Sequence, residues 1–593
     1  MHITKSLFVD YLYFPKLAWW KLHDSEAYKR INKMETEEQE DYIMNLWQQV
    51  ENAVKILLES KYQTMAVDLM PDRHKNDEEE QDDDDVFTQP ILTIEQSIER
   101  TIEAIREGKS LLYQPTFKLG DCLVRADFML ANSDGSYDLI EVKAKSRLRK
   151  NVTDDGESKP IGEIEDDFKH DISFQKYVID SVLQSNWLPP IKNTFFAYLN
   201  KDYYKDWNID YTKLIVIDQT WWTKEIEITQ RNKPMTKTIN DTLMDIVTIQ
   251  EYIKKMQGEL ELSENEFNKI YPFPGNKYLE YFWQEKPFGT IMGMGVNGNA
   301  DVVSMLYAKG KTDIMSLDEV ERAYFDTKSW AWWGRAREFI ERYIQCFPND
   351  EKIIFKDQIK EILNGFTYPI CFYDYESINV PIPLMDKTHP YQQVIVQYSL
   401  HKYYADGTMK HYGGVLTGQW EKRVEEIEIP HNPNLVAFES EKVVYGHYKD
   451  LLQEFLKDIG EDINTSTFIV WHKPFENTRN KEIGEIFPDL LDDFLCINER
   501  TYDLKEIFST GLYFDLHFKG SASIKKVLPV MTPISYDNLD VGNGSIAMKE
   551  LVKLIDNQIA DKAQRQKLIE DLLIYCGQDS LAMVRIFEKL AKL

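Results

Sequence analysis

The sequence predicts an α/β protein of more than one domain, and three observations lead there. Stretches with apolar residues at helical spacing alternate with short apolar runs of strand length. One of those runs carries acids on alternate residues, Asp374 and Glu376, and another carries Glu141 and Lys143 in the same way, a strand pattern that puts each pair on one face. The 593 residues exceed what a single core ordinarily organises, so two or three domains are expected.

From the front, residues 1 to about 60 read as helical, with Trp19, Trp20 and Leu22 early and Leu46, Val50, Val54 and Leu57 at helical spacing later. Residues 77–85 are acidic except for Gln81 and read as a solvated loop. Another helix is expected over 94–105. Residues 123–145 then read as a hairpin: an apolar run containing Asp127, an Asp134-Gly135 turn, and a second run, Tyr137-Asp138-Leu139-Ile140-Glu141-Val142-Lys143. Centring the turn near Asp134 puts Asp127 about opposite Glu141, and alternation puts Glu141 and Lys143 on one face. Such a group can hold Mg²⁺ and position a water, with the lysine polarising the nucleophile or neutralising the transition state. Lys145, Arg147, Arg149 and Lys150 follow, either tracking a phosphate backbone or forming a solvated strand end.

Residues 291–366 turn helical, with Trp330, Trp332 and Trp333 clustered as core rather than as a base-stacking platform. Gly542-Asn543-Gly544 is a loop signal without phosphate-loop context.

The rear holds the most informative pattern. Cys371-Phe372-Tyr373-Asp374-Tyr375-Glu376 places two acids on one face of a strand, and Tyr575 and Asp579 share one face of a helix by their i, i+4 spacing. If those faces meet, they form a carboxylate cage for Mg²⁺ or Mn²⁺, and a pair of such ions can activate water and stabilise a phosphodiester leaving group. Between them, Phe468-Ile469-Val470-Trp471-His472-Lys473-Pro474-Phe475-Glu476 is an apolar strand running into a loop that delivers an acid.

Composition bounds the partners. Apolar content of 43% with 13% aromatic residues suits a folded protein, and no run approaches the ~18 apolar residues of a membrane span. Asp10 interrupts the first apolar stretch, no cleavage-site pattern follows it, and a cytoplasmic location without membrane partners is expected. Five cysteines offer no CxxC pair, so neither a disulfide framework nor structural zinc is indicated. The net charge of −29 argues against a general nucleic-acid coating protein, since nonspecific affinity comes from lysine and arginine. Metal-dependent nucleases tolerate it, because bound cations supply local positive charge.

These motifs carry a resemblance. The strand, His472 and acid of 468–476, between the Asp374/Glu376 pair and the Tyr575/Asp579 pair, resemble the DEDD exonucleases, the DnaQ-like and RNase D-like family. That resemblance implies an RNase H-like domain with two metal ions, Asp374, Glu376, Glu476 and Asp579 as ligands, and Tyr575 orienting the attacking water. Glu476 stands where that family usually has Asp. The Asp127, Glu141 and Lys143 arrangement resembles the PD-(D/E)XK core of RecB-like nucleases, including the iron-sulfur nucleases of CRISPR adaptation. It implies a restriction-endonuclease-like domain with one or two metal ions held by Glu51, Asp127, Glu141 and the Val142 carbonyl, with Lys143 and Gln175 assisting. Cluster-bearing relatives have a cysteine before the early proline, whereas this chain has Tyr13-Phe14-Pro15, and its 271–295 segment has none. No iron-sulfur cluster is therefore expected, with Phe14, Phe282, Trp283 and Phe288 filling that space.

Segments 390–401 and 518–529 resemble an uncharacterised bacterial family that fuses the two domain types. The expected organisation is a RecB-like domain over 1–290, a helical connector over 291–366 and a DnaQ-like domain over 367–593. The implied activity is phosphodiester hydrolysis on DNA, with a role in repair or defence against foreign DNA. Alternatives are an RNA-trimming exonuclease, or a catalytically weakened nuclease-derived binding or scaffold protein.

Overall fold

The structure is a computed structural model that describes all residues except 33–36, 71–91, 149–151, 155–156, 160–162, 220–222, 231–232, 241, 272–288, 292–299, 327–335, 419–422, 428–439, 446 and 535–543. The expectations for the acidic run 77–85, for Arg149 and Lys150, for Phe282, Trp283 and Phe288, for the tryptophans at 330, 332 and 333, and for Gly542 and Asn543 lie outside the described residues. The chain is mixed α/β and divides into two compact units. One comprises residues 1–274 with 381–391, the other 275–380 with 392–593. Residues of the expected connector fall in the second unit, where they form helices Ala300–Ala308, Ala336–Cys346 and Lys356–Asn364.

In the first unit, helices α1 (Lys5–Tyr13), α2 (Glu37–Tyr62), α3 (Ile94–Arg106) and α4 (Asp166–Ser185) accompany strands β1 (Val67–Asp68), β2 (Leu111–Tyr113), β3 (Phe128–Ala131), β4 (Tyr137–Lys143), β5 (Ile191–Leu199) and β6 (Ile215–Gln219). The strands form one sheet in the order β6-β5-β4-β3-β2-β1. The β3–β4 hairpin is antiparallel with Phe128 opposite Ile140, which continues to Asp127 beside Glu141. Its turn closes with the Gly135 N–H donating to Asn132 O (3.0 Å), and Gly135 takes the left-handed φ of 85° that glycine accepts without strain.

Alternation along β4 divides the layers. Ile140 and Val142 join Val50, Val54 and Leu57 of α2 in one core, while Glu141 meets α4 on the other face. One expectation is corrected: residues 123–130 are not a single strand. Cys122–Arg125 pairs instead with Ile3–Thr4 and Thr116–Leu119 in a separate three-stranded sheet. The break falls at Ala126 and Asp127, whose carboxylate accepts the Val142 N–H (2.6 Å) and ties the bend to β4. Residues 381–391 belong to this unit through the Lys205–Asp386 ion pair and a hydrogen bond from the Tyr391 hydroxyl to the Ala144 carbonyl.

In the second unit, β7 (Ile370–Asn379), β8 (Gln393–Tyr403), β9 (Met409–Thr417), β10 (Arg423–Ile427), β11 (Ser440–Tyr445), β12 (Thr467–Val470) and β13 (Thr501–Asp503) form a sheet in the order β10-β11-β9-β8-β7-β12-β13. β7, β8 and β9 are antiparallel neighbours, and β12 and β13 run parallel to β7. Helices α5 (Tyr448–Ile459), α6 (Lys473–Ile486), α7 (Ile524–Met531) and α8 (Lys562–Leu590) complete the layers. Tyr373 and Tyr375 turn toward Phe455 of α5 (5.7 and 5.3 Å between ring centres), whereas Phe372 packs on Phe587 of α8 (5.5 Å). Strand alternation therefore sends Asp374 and Glu376 to the α8 face.

A close backbone approach supports this sheet. Gly414 on β9 lies opposite Tyr398, and a Cβ there would meet Tyr398 Cε1 at 2.5 Å. That ring has little freedom to yield, since its hydroxyl donates to Asp458 (2.7 Å) and its face meets Phe455. Gly414→Ala is expected to destabilise the unit by about 1–3 kcal/mol, measured as a shift in urea midpoint at constant slope.

Candidate metal centre and a lysine-bridged acidic cluster

In the second unit, β7 supplies Asp374 and Glu376 from the middle of the strand, and α8 supplies Tyr575 and Asp579 from one face near the middle of its length. One carboxylate oxygen from each of Asp374, Glu376 and Asp579 lies within 4.8 Å of the others. Among the described residues no other group of three or more His, Cys, Asp or Glu side chains meets in this way. The electrostatics follow from burial of like charges. Asp374 is held well above the usual carboxylate range, first by burial and then by Asp579, Glu376 and Glu476. Glu376 is pushed up to about 8 by burial and Asp579, with Lys525 opposing. Tyr575 is only 3% exposed, and burial followed by Asp579, Glu376 and Asp374 raises its hydroxyl pKa.

Glu476 joins this neighbourhood without joining the three-carboxylate group. It was expected on a loop, but it stands in the first turn of α6, because the chain turns helical directly after His472, with Pro474 in the opening turn. Burial pushes its carboxyl up to about 8, and its buried Oε2 has no hydrogen-bond partner among the described residues. A buried acceptor without a donor is costly unless a cation or water meets it. The donor set of hard oxygens, on acids whose pKa values are raised chiefly by burial, fits a divalent ion of the Mg²⁺ or Mn²⁺ type.

Sequence reading missed Lys525. It sits in the first turn of α7, with its ammonium 6.0 Å from the Tyr575 ring centre and close enough to Glu376 to lower that acid's pKa. The only signal in the sequence was its place in the Ser521-Ala522-Ser523-Ile524-Lys525 segment, which carries no spacing rule.

In the first unit, Asp127, Glu141, Lys143 and Gln175 converge, together with two residues the sequence reading did not single out, Lys5 and Asp171. Lys143 Nζ donates to Glu141 Oε1 (2.8 Å) and to Asp171, while Gln175 Nε2 donates to Glu141 Oε2 and Asp171 Oδ1 (both 2.8 Å). Asp171 was detectable, being four residues before Gln175 on one helix face. Lys5 Nζ reaches Glu141 Oε1 (2.8 Å) and lies 3.8 Å from Asp127. Burial lowers the Lys5 pKa, but Asp127, Glu141 and Asp171 outweigh it and raise the ammonium above its ordinary value. Glu51 on α2 accepts from the Tyr113 hydroxyl and Gln114 Nε2 (both 3.0 Å), and adds to the charge that raises Asp127, after burial. Val142 meets Asp127 through its N–H. Lys145 pairs with Glu165 at 3.8 Å.

The raised carboxyls fix a pH dependence. Glu376 and Glu476 bind protons more tightly folded, near 8, than in an unfolded chain, near 4.5. Between those values the unfolded state holds fewer protons, so the stability these two groups contribute is fully present below pH 4.5 and is lost as pH rises through 8, by up to about 1.4 kcal/mol per pH unit for each group. In chelator, Glu376→Gln is expected to flatten this decline between pH 5 and 8, read from urea midpoints. Mn²⁺ is expected to reverse the decline in the wild type by replacing the protons.

Fold and site together define an α/β protein with a half-buried three-carboxylate centre in one unit and a lysine-bridged acidic cluster in the other. Residues 371–523 match a family model described as a domain of unknown function, DUF2779. That stretch contains Asp374, Glu376 and Glu476, ends two residues before Lys525, and excludes Tyr575 and Asp579. The chain is similar to uncharacterised proteins of Mycoplasma genitalium (19% identical, covering 82% of this chain and 79% of that protein) and Mycoplasma pneumoniae (21%, 83% and 80%). An uncharacterised protein of Ureaplasma parvum is 26% identical over 36% of this chain, a match spanning 30% of that protein's length. No solved structure matches. Among the described residues no helix is long and apolar enough to cross a membrane.

Proposed function

We propose that the second unit is an RNase H-like DEDD exonuclease domain, and that the protein is a metal-dependent nuclease whose first unit is a PD-(D/E)XK-like domain. The observation that carries this reading is the meeting of Asp374, Glu376 and Asp579 within 4.8 Å, from a strand and a helix separated by about 200 residues of chain. The sheet order supports it: β9, β8 and β7 are antiparallel neighbours, β12 and β13 follow parallel to β7, and the acids lie on β7, where the two arrangements meet. So does Tyr575, buried beside the acids on the helix that delivers Asp579.

Asp374, Glu376 and Asp579 would hold the ions, with Glu476 completing the oxygen set. When bound, Mg²⁺ or Mn²⁺ lowers the pKa of water and stabilises the leaving oxygen. The chain's own residues do the rest. The Tyr575 hydroxyl orients the attacking water, and the Lys525 ammonium offsets negative charge on the phosphate as the bond breaks. DNA is the favoured substrate and a cytoplasmic location belongs to the same reading.

The test uses the full chain with 5′-labelled single strands of DNA and RNA in Mn²⁺. A ladder shortening from the 3′ end supports the proposal, and the preferred strand decides the sugar. Tyr575→Phe is expected to slow trimming by about 100-fold with Mn²⁺ affinity unchanged. Absence of any cleavage together with absence of Mn²⁺ binding would reject it.

A further inference from the structure

The acidic cluster of the first unit already contains two cations, Lys143 and Lys5, both on Glu141 Oε1. Lys5 is the first residue of α1, whose start is fixed on both sides. The preceding strand Ile3–Thr4 pairs in parallel with Cys122 and Leu123, and the Thr4 hydroxyl caps the helix by accepting from Leu7 N (3.3 Å). This delivers the ammonium to Glu141 Oε1 at 2.8 Å and Asp127 Oδ1 at 3.8 Å. A divalent ion binds such oxygens at about 2.1 Å, and the Lys5 ammonium already holds Glu141 Oε1 at 2.8 Å, so the ion and Lys5 compete for that oxygen.

Two further observations point to a second occupant. Gln175 is fully buried, with its Nε2 spent on Glu141 and Asp171, and its Oε1 has no hydrogen-bond partner among the described residues. That oxygen is the kind of acceptor a cation or its bound water satisfies. In addition, the Lys5 side chain is 27% exposed while those of Asp127 and Glu141 are 8% and 2% exposed. The lysine thus borders solvent, whereas the acids are enclosed.

We propose that Lys5 is a built-in cation that closes the first unit's acidic centre, so that a divalent ion enters between Asp127 and Glu141 only as the lysine swings out. The displaced ammonium, tethered to the rim of the centre, then meets an anionic oxygen of the bound phosphodiester. Substrate phosphate and metal would in this way load together, the one drawing Lys5 outward as the other takes its place. This inference rests on the reading of the first unit as a metal-dependent phosphodiesterase centre.

The test uses the full chain carrying Asp374→Asn and Asp579→Asn, which silences the second unit's centre, and compares Lys5 with Lys5→Gln and Lys5→Ser. Mn²⁺ affinity is measured by calorimetry, and the melting temperature is measured in chelator and in Mn²⁺. Both Lys5 variants are expected to bind one Mn²⁺ at least about tenfold more tightly than the Lys5 protein. They are also expected to melt lower in chelator and to recover more on adding Mn²⁺, and Glu141→Gln should erase that gain. Equal Mn²⁺ affinity with and without Lys5 would overturn the closure by Lys5 while leaving the first unit a metal site. No Mn²⁺ bound by any of the three would overturn both the closure and the metal reading of this unit.

Discussion

Asp374→Asn is expected to reduce Mn²⁺-dependent 3′ trimming by at least about 10³-fold. Asp374 shares the three-carboxylate group with Glu376 and Asp579, and asparagine keeps its shape while offering one neutral oxygen in place of a charged pair. The fold has little reason to suffer. Burial and three neighbouring acids already penalise the ionised Asp374, so removing its charge should leave the metal-free protein as stable as the parent or slightly more so. Trimming activity and urea midpoint, measured on the same preparation, separate a lost centre from a lost fold. Lys143→Ala, in the other unit, should leave trimming intact. Full trimming by Asp374→Asn would remove the basis for assigning activity to this centre.

Glu141→Ala is expected to act in the opposite way, through stability. Glu141 is 1% exposed and accepts from Lys5, Lys143 and Gln175. Truncating it leaves Lys143 with Asp171 and Lys5 with the more distant Asp127, and loss of one partner of a buried ion pair costs up to about 3–5 kcal/mol. The first unit should therefore unfold at a markedly lower urea concentration, while trimming by the second unit persists below that transition. A variant with an unchanged midpoint would show that solvent already reaches these charges, and the cluster would have to be redrawn as an open one.

Much of the second centre was legible because each of its pairs is local. Asp374 and Glu376 are two apart on a strand, and Tyr575 and Asp579 are four apart on a helix, so each pair's common face follows from backbone periodicity alone. In the first unit the same holds for the hairpin, where turn chemistry sets the register that brings Asp127 beside Glu141. Glu476 shows where local reading stops. The acid was visible, but whether it ends a loop or opens a helix depends on how His472 and Pro474 seat the chain against β13, where Asp503 accepts the Lys473 N–H at 3.1 Å.

The sequence by itself determined the alternation of helices and strands, the one-faced acid pairs and the absence of any cysteine framework, all of which follow from rules spanning a few neighbouring residues. Tertiary structure alone decided which acids share a centre and which cations attend them. Lys5 and Glu141 are 136 residues apart and Asp374 and Asp579 are 205 apart, and no periodicity links such positions. Their meeting is set by which sheet face each helix covers, and that depends on burying the whole apolar surface of the unit at once.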